Sequence, residues 1–186
     1  MKKLKAAVIG VGGISVNHID NYIAHPDVDL VAFCDINPDM LKKRGEQYGI
    51  KNLFADYNEM LAKMPEIDIV SVCTWNSAHA PATIAALNAG KHVLCEKPMA
   101  MNAAEAEQMR QAAIKNKRVL QVGFVRRFAR DAALIRDFSA HGNLGDLYYA
   151  RAAYVRRNGN PGGWFGDKSR SGGGPLIDLG VHVIDL

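Results

Sequence analysis

Lys97 lies between Glu96 and Pro98 in the stretch CEKPMA. A lysine beside a glutamate is usually a surface ion pair of little worth. Here the pair falls at the end of an apolar, β-branched run, and the following proline disfavours helical backbone at Lys97 and leaves the X-Pro bond open to cis. A lysine held in this way can hydrogen-bond a substrate hydroxyl and lower the cost of its losing a proton.

A second group closes the chain. In GGGPLIDLGVHVIDL, Asp178, His182 and Asp185 recur at i, i+4, i+7, which on a helix places them on one face, while Leu176, Leu179 and Val183 share a second face as packing. A carboxylate one turn from an imidazole can orient it and raise its basicity. Three arrangements fit this spacing: an acid/base pair, a metal site, or a helical surface pair. A metal would want a further His or Cys nearby, and none follows, so no metal is expected. On spacing alone the surface pair is favoured; Gly172, Gly173 and Gly174 shift the balance, because they let the backbone lie close to a ligand or turn sharply into the helix.

A third group opens the chain. Gly10, Val11, Gly12, Gly13, Ile14 and Ser15 follow an apolar run and precede an amphipathic one, matching a dinucleotide fingerprint with Ser15 at the third glycine position. Gly10 allows the tight turn, Gly12 lets backbone approach a pyrophosphate, and the helix N-terminus offers N–H groups to it. Such a turn alone also occurs in α/β proteins that bind no nucleotide. Asp35 strengthens the match: it ends the second apolar run at a distance from which a carboxylate accepts from an adenosine ribose. Its alternative role as a helix cap is already filled by Asn37, directly before Pro38. Without an adjoining Arg, Asp35 disfavours a 2′-phosphate, so NAD is expected over NADP unless Lys42 or Arg44 reaches over from the next helix. Further along, CTWNSAHA puts Thr74, Trp75 and Asn76 where they could flank a cofactor, although Trp75 fits a packed lid equally well and His79 suits a capping or structural place.

These groups require elements that bring them to one edge. Apolar runs at 4–11, 29–35, 51–55, 67–74, 92–96 and 119–124 alternate with amphipathic stretches at 13–25, 38–48, 57–64, 78–89, 103–116 and 128–140, the pattern of parallel strands joined by crossover helices. Gly90 marks a helix stop after ALNA. The fold class expected is α/β, a Rossmann-type doubly wound parallel sheet over 1–122. From 123 to 186 an arginine-rich helix (Arg126, Arg127, Arg130, Arg136), an alternating strand at 146–156 and a glycine-dense loop at 158–174 read as the start of a truncated α+β second domain.

Composition narrows the classes. The 186 residues are 48% hydrophobic and 23% charged with net charge +4, enough for a core and without a basic block, so an ordinary surface is favoured over a nucleic-acid patch. Cys34, Cys73 and Cys95 are an odd set near apolar run ends, suggesting buried free thiols and a cytoplasmic location. The start MKKLKAAVIGVGG imitates a signal peptide but is broken by glycines, and no run reaches membrane-spanning length.

With VIGVGGIS, Asp35, TWNSAH, the triplet Glu96 to Pro98 and GGGPLIDLGVHVID in hand, the whole chain resembles the Gfo/Idh/MocA family of NAD(P)-dependent oxidoreductases (glucose-fructose oxidoreductase, inositol dehydrogenase and relatives). The resemblance implies hydride transfer between nicotinamide and a secondary alcohol of a sugar, cyclitol or related polyol. It implies cofactor contacts from Gly10, Gly12, Gly13, Ile14, Ser15, Asp35, Thr74, Trp75, Asn76, His79, Glu96 and Lys97, and a catalytic set of Lys97, Asp178 and His182. His182, aligned by Asp178, would take the hydroxyl proton while Lys97 steadies the alkoxide. Family members continue into an open antiparallel sheet that carries much of the substrate pocket and the oligomer interface, so this sequence reads as an N-terminal portion, homo-oligomeric in its full-length form. A non-catalytic NAD-binding or assembly module is the competing class. A nucleic-acid binder rests only on net charge and the arginines at 126, 127, 156 and 157.

Overall fold

A computed structural model of the chain describes residues 2–153, 155, 157 and 162–186. The chain divides into two compact units, residues 1–122 and 123–186.

The first unit alternates strand and helix throughout. Its strands are β1 (Leu4–Ile9), β2 (Val28–Cys34), β3 (Asn52–Phe54), β4 (Ile69–Val72), β5 (His92–Cys95) and β6 (Leu120–Val122). The helices between them are α1 (Ser15–Ala24), α2 (Pro38–Tyr48), α3 (Tyr57–Lys63), α4 (Asn76–Asn88) and α5 (Ala103–Asn116). The strands form one six-stranded sheet in the order β3-β2-β1-β4-β5-β6. All five pairings are parallel. Strand order reverses between β1 and β4, and that switch point is where doubly wound sheets open a crevice at their carboxyl ends.

Burial explains why these runs are strands. Ala6, Ala7 and Val8 are all fully buried, so β1 is covered on both faces and reads as a continuous apolar run. The two faces separate by the pleat. Ala7, Ile9, Ala32 and Cys34 join residues of α3, α4 and α5 in one core. Val8 and Phe33 join Ile19 of α1 and Leu41 of α2 in the other. Full burial of a side chain such as Leu87 or Phe33 contributes roughly 1.5–3 kcal/mol each.

Local chemistry sets the helix ends. The Asn37 side chain accepts from the N–H groups of Asp39 and Met40, with Pro38 at the first helical position. Asp56 caps α3 and Asn102 caps α5 by the same kind of bond. Gly90, at φ +76°, follows the end of α4 as the ALNA stop predicts.

The second unit holds a 3₁₀ turn (Val125–Phe128), α6 (Arg130–Ala140), a second 3₁₀ turn (Gly163–Gly166), α7 (Lys168–Ser171), a π-helical turn (Leu176–Gly180) and α8 (Val181–Asp185). The strand expected over 146–156 is not formed at residues 146–153, which are irregular and exposed, Tyr148 at 98%. Period-2 alternation alone cannot make a strand, because its N–H and C=O groups need a neighbouring strand. Among the described residues of this unit there is no other strand to supply them. Tyr154, Arg156 and the loop residues 158–161 lie outside the described residues.

Candidate active site

The glycine turn after β1 separates two jobs. Gly10 has φ +85°, and a Cβ added there would stand 2.8 Å from the backbone of Cys73 and Thr74. Its N–H donates to the Cys34 carbonyl at 2.7 Å, so Gly10 lets β1 leave the sheet while wedged between the ends of β2 and β4. At Gly12 and Gly13, by contrast, a Cβ would meet nothing within 4 Å. The backbone there faces open space, as a group approaching closely requires.

Ser15 is fully buried, and its Oγ donates to the Gly12 carbonyl at 2.7 Å, so the residue at the third glycine position both packs and pins the turn. No side chain caps α1. The N–H groups of Val16 and Asn17 close on the Gly13 and Ile14 carbonyls at 3.4 and 3.2 Å, and the positive end of the helix dipole stands behind the open glycine turn, an arrangement suited to a phosphate. The residues present thus fit a dinucleotide's diphosphate. Ile14, immediately before α1, is 47% exposed.

Asp35 follows directly on β2. Its Oδ2 accepts from the Val11 N–H at 2.7 Å and its Oδ1 from the Asn37 N–H at 2.8 Å. The carboxylate thus shapes the glycine turn, and each oxygen retains a second lone pair for an incoming hydroxyl. Arg44 reaches back from α2, its Nε donating to the Val11 carbonyl at 3.2 Å and its Nη1 to Gln47 at 2.7 Å. Lys42 instead lies 4.0 Å from Glu46 on its own helix. Of the two cations that could offset Asp35, the structure brings Arg44 to the turn.

The carboxyl ends of β4 and β5 carry the next group. Thr74 and Trp75 are half-buried, Trp75 immediately preceding α4, whereas Asn76 is buried. No side chain caps α4 either. His79, one turn into α4, is buried with Nδ1 2.7 Å from the Pro98 carbonyl and Nε2 3.1 Å from that of Thr74. Burial, opposed by these two backbone bonds, holds its pKa below the ordinary imidazole value. His79 therefore ties α4 to the segment containing Lys97 and is closed off from solvent. The Lys97–Pro98 peptide is cis, and Lys97 is half-buried.

Glu96 is 8% exposed and is held by a group that sequence reasoning missed. His18 of α1 places Nε2 2.9 Å from Glu96 Oε1 and Nδ1 3.1 Å from Ser71 Oγ, and Tyr22 Oη lies 2.8 Å from the same Ser71 oxygen. Glu96 Oε2 accepts from the Lys97 N–H at 3.2 Å. Burial works against ionisation of Glu96, but the hydrogen bonds and charges of His18 and Lys97 outweigh it and hold the carboxyl below its usual range. The one sequence signal for this network is that His18 and Tyr22 are four apart on α1 and share a face. The cysteines take no part as nucleophiles: burial foremost pushes the thiols of Cys34 and Cys95 up to about 12, and that of Cys73 well up.

In the second unit the closing motif departs from a plain α-helix. Asp178 sits in the π-helical turn and His182 in α8, which follows it directly, so the i, i+4, i+7 set spans two helical forms rather than one α-helix. Asp185 belongs to Arg127, whose Nη2 and Nε donate to its carboxylate at 2.6 and 2.7 Å. Leu176, expected as packing, is 71% exposed. His182 is 9% exposed and meets the Phe124 ring edge-on at a centroid distance of 6.4 Å. Asp178 lines a cavity of about 850 Å³ with Phe165, Lys168, Leu179 and Gly172 to Gly174. Among the described residues, no group of three or more His, Cys, Asp or Glu side chains could hold a metal ion.

Comparison with known proteins agrees with this geometry. Residues 4–124 match a family model described as an oxidoreductase family with an NAD-binding Rossmann fold, and residues 133–186 match the GFO/IDH/MocA C-terminal domain. D-glucoside 3-dehydrogenase of Escherichia coli (strain K12) is 40% identical over 184 residues, 98% of this chain and 52% of that protein. Myo-inositol 2-dehydrogenase of Thermotoga maritima is 31% identical over 98% of this chain and 53% of that protein. A solved structure of levoglucosan dehydrogenase in complex with NADH superposes with a TM-score of 0.84 at 28% identity, over 99% of this chain and 52% of that one. The chain thus spans about half the length of the curated relatives it matches.

Proposed function

The chain belongs to the Gfo/Idh/MocA oxidoreductase family, and from that premise we propose that it acts in an NAD-dependent dehydrogenase that moves a hydride between nicotinamide and a secondary alcohol carbon of a sugar, cyclitol or related polyol. The observation that carries the reading is the glycine turn: Gly12 and Gly13 open to solvent in front of a helix that no side chain caps, with Asp35 hydrogen-bonded to the same turn. When bound, the nicotinamide supplies the hydride acceptor. The protein's own residues hold the diphosphate on the first turn of α1, offer Asp35 to the adenosine ribose, and handle the proton.

In this reading Thr74, Trp75 and Asn76 flank the cofactor, Lys97 steadies the oxygen as its proton leaves, and His182, oriented by Asp178, takes that proton. The relatives named for glucosides, inositol and levoglucosan support the polyol class, and the free, buried cysteines suit a reducing, cytoplasmic compartment. We place residues 1–122 as the cofactor domain and 123–186 as the beginning of the substrate and oligomerisation domain, the full-length form being a homo-oligomer without nucleic-acid affinity. No helix among the described residues is long and apolar enough to cross a membrane.

NADH fluorescence titration tests the cofactor assignment: saturable enhancement or quenching is expected, and its absence overturns it. Turnover across a panel of polyols then separates dehydrogenase from binding module, the latter binding NADH without reacting. If His182→Ala keeps near-normal turnover while Lys97→Ala loses it, the two proton-handling roles exchange.

A further inference from the structure

We propose that His18 is a positioning residue for Lys97, acting through Glu96: it anchors the Glu96 carboxylate to α1, and so sets the environment of the lysine next in the chain. The role in turnover rests on the dehydrogenase reading, but the anchoring stands on geometry alone. Its four side chains come from three elements that are distant in sequence. His18 and Tyr22 lie on α1, Ser71 on β4 and Glu96 just past β5, and the His18 to Glu96 contact spans 78 residues.

The protons can be placed. Ionised Glu96 can only accept, so His18 Nε2 carries the hydrogen of the 2.9 Å contact. In the neutral ring Nδ1 then accepts from the Ser71 hydroxyl at 3.1 Å and the Ser71 oxygen accepts from Tyr22 at 2.8 Å; in the charged ring Nδ1 donates to Ser71, whose hydroxyl then donates to Tyr22. Every member is satisfied in either state, and Ser71 is fully buried, so the ring has one orientation. At the far end Glu96 Oε2 accepts the Lys97 N–H at 3.2 Å. The carboxylate is shared between the α1 imidazole and the backbone of Lys97. The helix that begins at the glycine turn is thereby tied to the Glu-Lys-Pro segment, a coupling that neither segment could provide alone.

Deleting the imidazole frees Glu96 Oε1 in a site where the charge that still acts on this carboxylate is that of Lys97. The freed carboxylate turns to the Lys97 side chain, and a side chain so held is less available to an acylating reagent. The test is the rate at which acetic anhydride acylates Lys97, read by peptide mass spectrometry with exposed Lys115 as internal reference, alongside urea unfolding of each variant. His18→Leu is expected to slow Lys97 roughly tenfold against Lys115, the size of one lost charge-assisted hydrogen bond. His18→Asn, whose amide falls at the Nδ1 position and keeps only the Ser71 side, is expected to be as slow. His18→Gln, which returns an N–H donor at the Nε2 position, is expected to restore the rate to within twofold. Wild-type labelling in His18→Asn overturns the proposal, as does a His18→Gln variant as slow as His18→Asn, and these two polar variants decide the matter should His18→Leu fail to fold. The labelling needs no cofactor. A wild-type protein that fails to bind NADH therefore sinks the dehydrogenase reading and leaves this inference standing, whereas unchanged labelling sinks the inference alone.

Discussion

Two glycines two residues apart should fail in opposite ways when each is replaced by alanine. At Gly12 a Cβ meets nothing within 4 Å and the backbone lies outside the left-handed region, so Gly12→Ala fits the folded chain. Because alanine also restricts the unfolded chain, stability should stay level or rise by about 0.4–1 kcal/mol. The new methyl projects into the space that the proposed function gives to the diphosphate, and its exclusion of close backbone approach should weaken NADH by at least tenfold, about 1.4 kcal/mol. At Gly10 the sign reverses. Its φ of +85° costs an L-residue roughly 1–2 kcal/mol, and the Cβ would lie 2.8 Å from three backbone atoms of Cys73 and Thr74, just past the end of β4. Loss of about 3 kcal/mol or more is expected, with NADH affinity falling only as the folded fraction falls. Urea unfolding and NADH fluorescence titration on the same two variants separate the outcomes. Wild-type NADH affinity in Gly12→Ala would refute the assignment of the diphosphate to this turn, and a stable Gly10→Ala would refute the close approach of the turn to the end of β4.

Further variants probe the neighbouring groups. Asp35→Asn keeps an acceptor for the turn while removing the charge that opposes a 2′-phosphate, so the ratio of NADPH to NADH affinity should rise about fivefold or more, measured by parallel fluorescence titrations. Glu96 is held below its usual range, so its charged form contributes stability that is present above its unfolded pKa and lost as pH falls through the lower folded value. Urea midpoints of wild type and Glu96→Gln should therefore differ most at neutral pH and converge below about pH 4. The buried thiols should ignore Ellman's reagent at pH 8 in the native chain and react as three equivalents in denaturant, since Cys34, Cys73 and Cys95 are all buried. A native thiol that reacts quickly would contradict the packing of β2, β4 and β5.

The sheet was legible because its signals are local. Apolar runs of strand length, the Asn37-Pro38 helix start and the Gly90 stop each follow from propensities that act within a few residues, and all appear in the fold. The glycine turn was legible for the same reason. Where local signals needed a distant partner they misled: the alternation at 146–153 has no neighbouring strand among the described residues, and the Asp178 to Asp185 spacing crosses a π-helical turn and ends on Arg127.

Within residues 1–122 sequence by itself determined which segments are strands and helices, and that a glycine turn, Asp35 and Lys97 fall at the carboxyl ends of parallel strands. Only the tertiary structure decided what holds them. Arg44 bonds to Val11 across 33 residues, His79 to Pro98 across 19, and His18 to Ser71 and Glu96 across 53 and 78. Such contacts have no periodicity to read. They exist because crossover helices return each strand to a shared sheet, so that side chains remote in the chain must satisfy one another's hydrogen bonds in a site with little access to water.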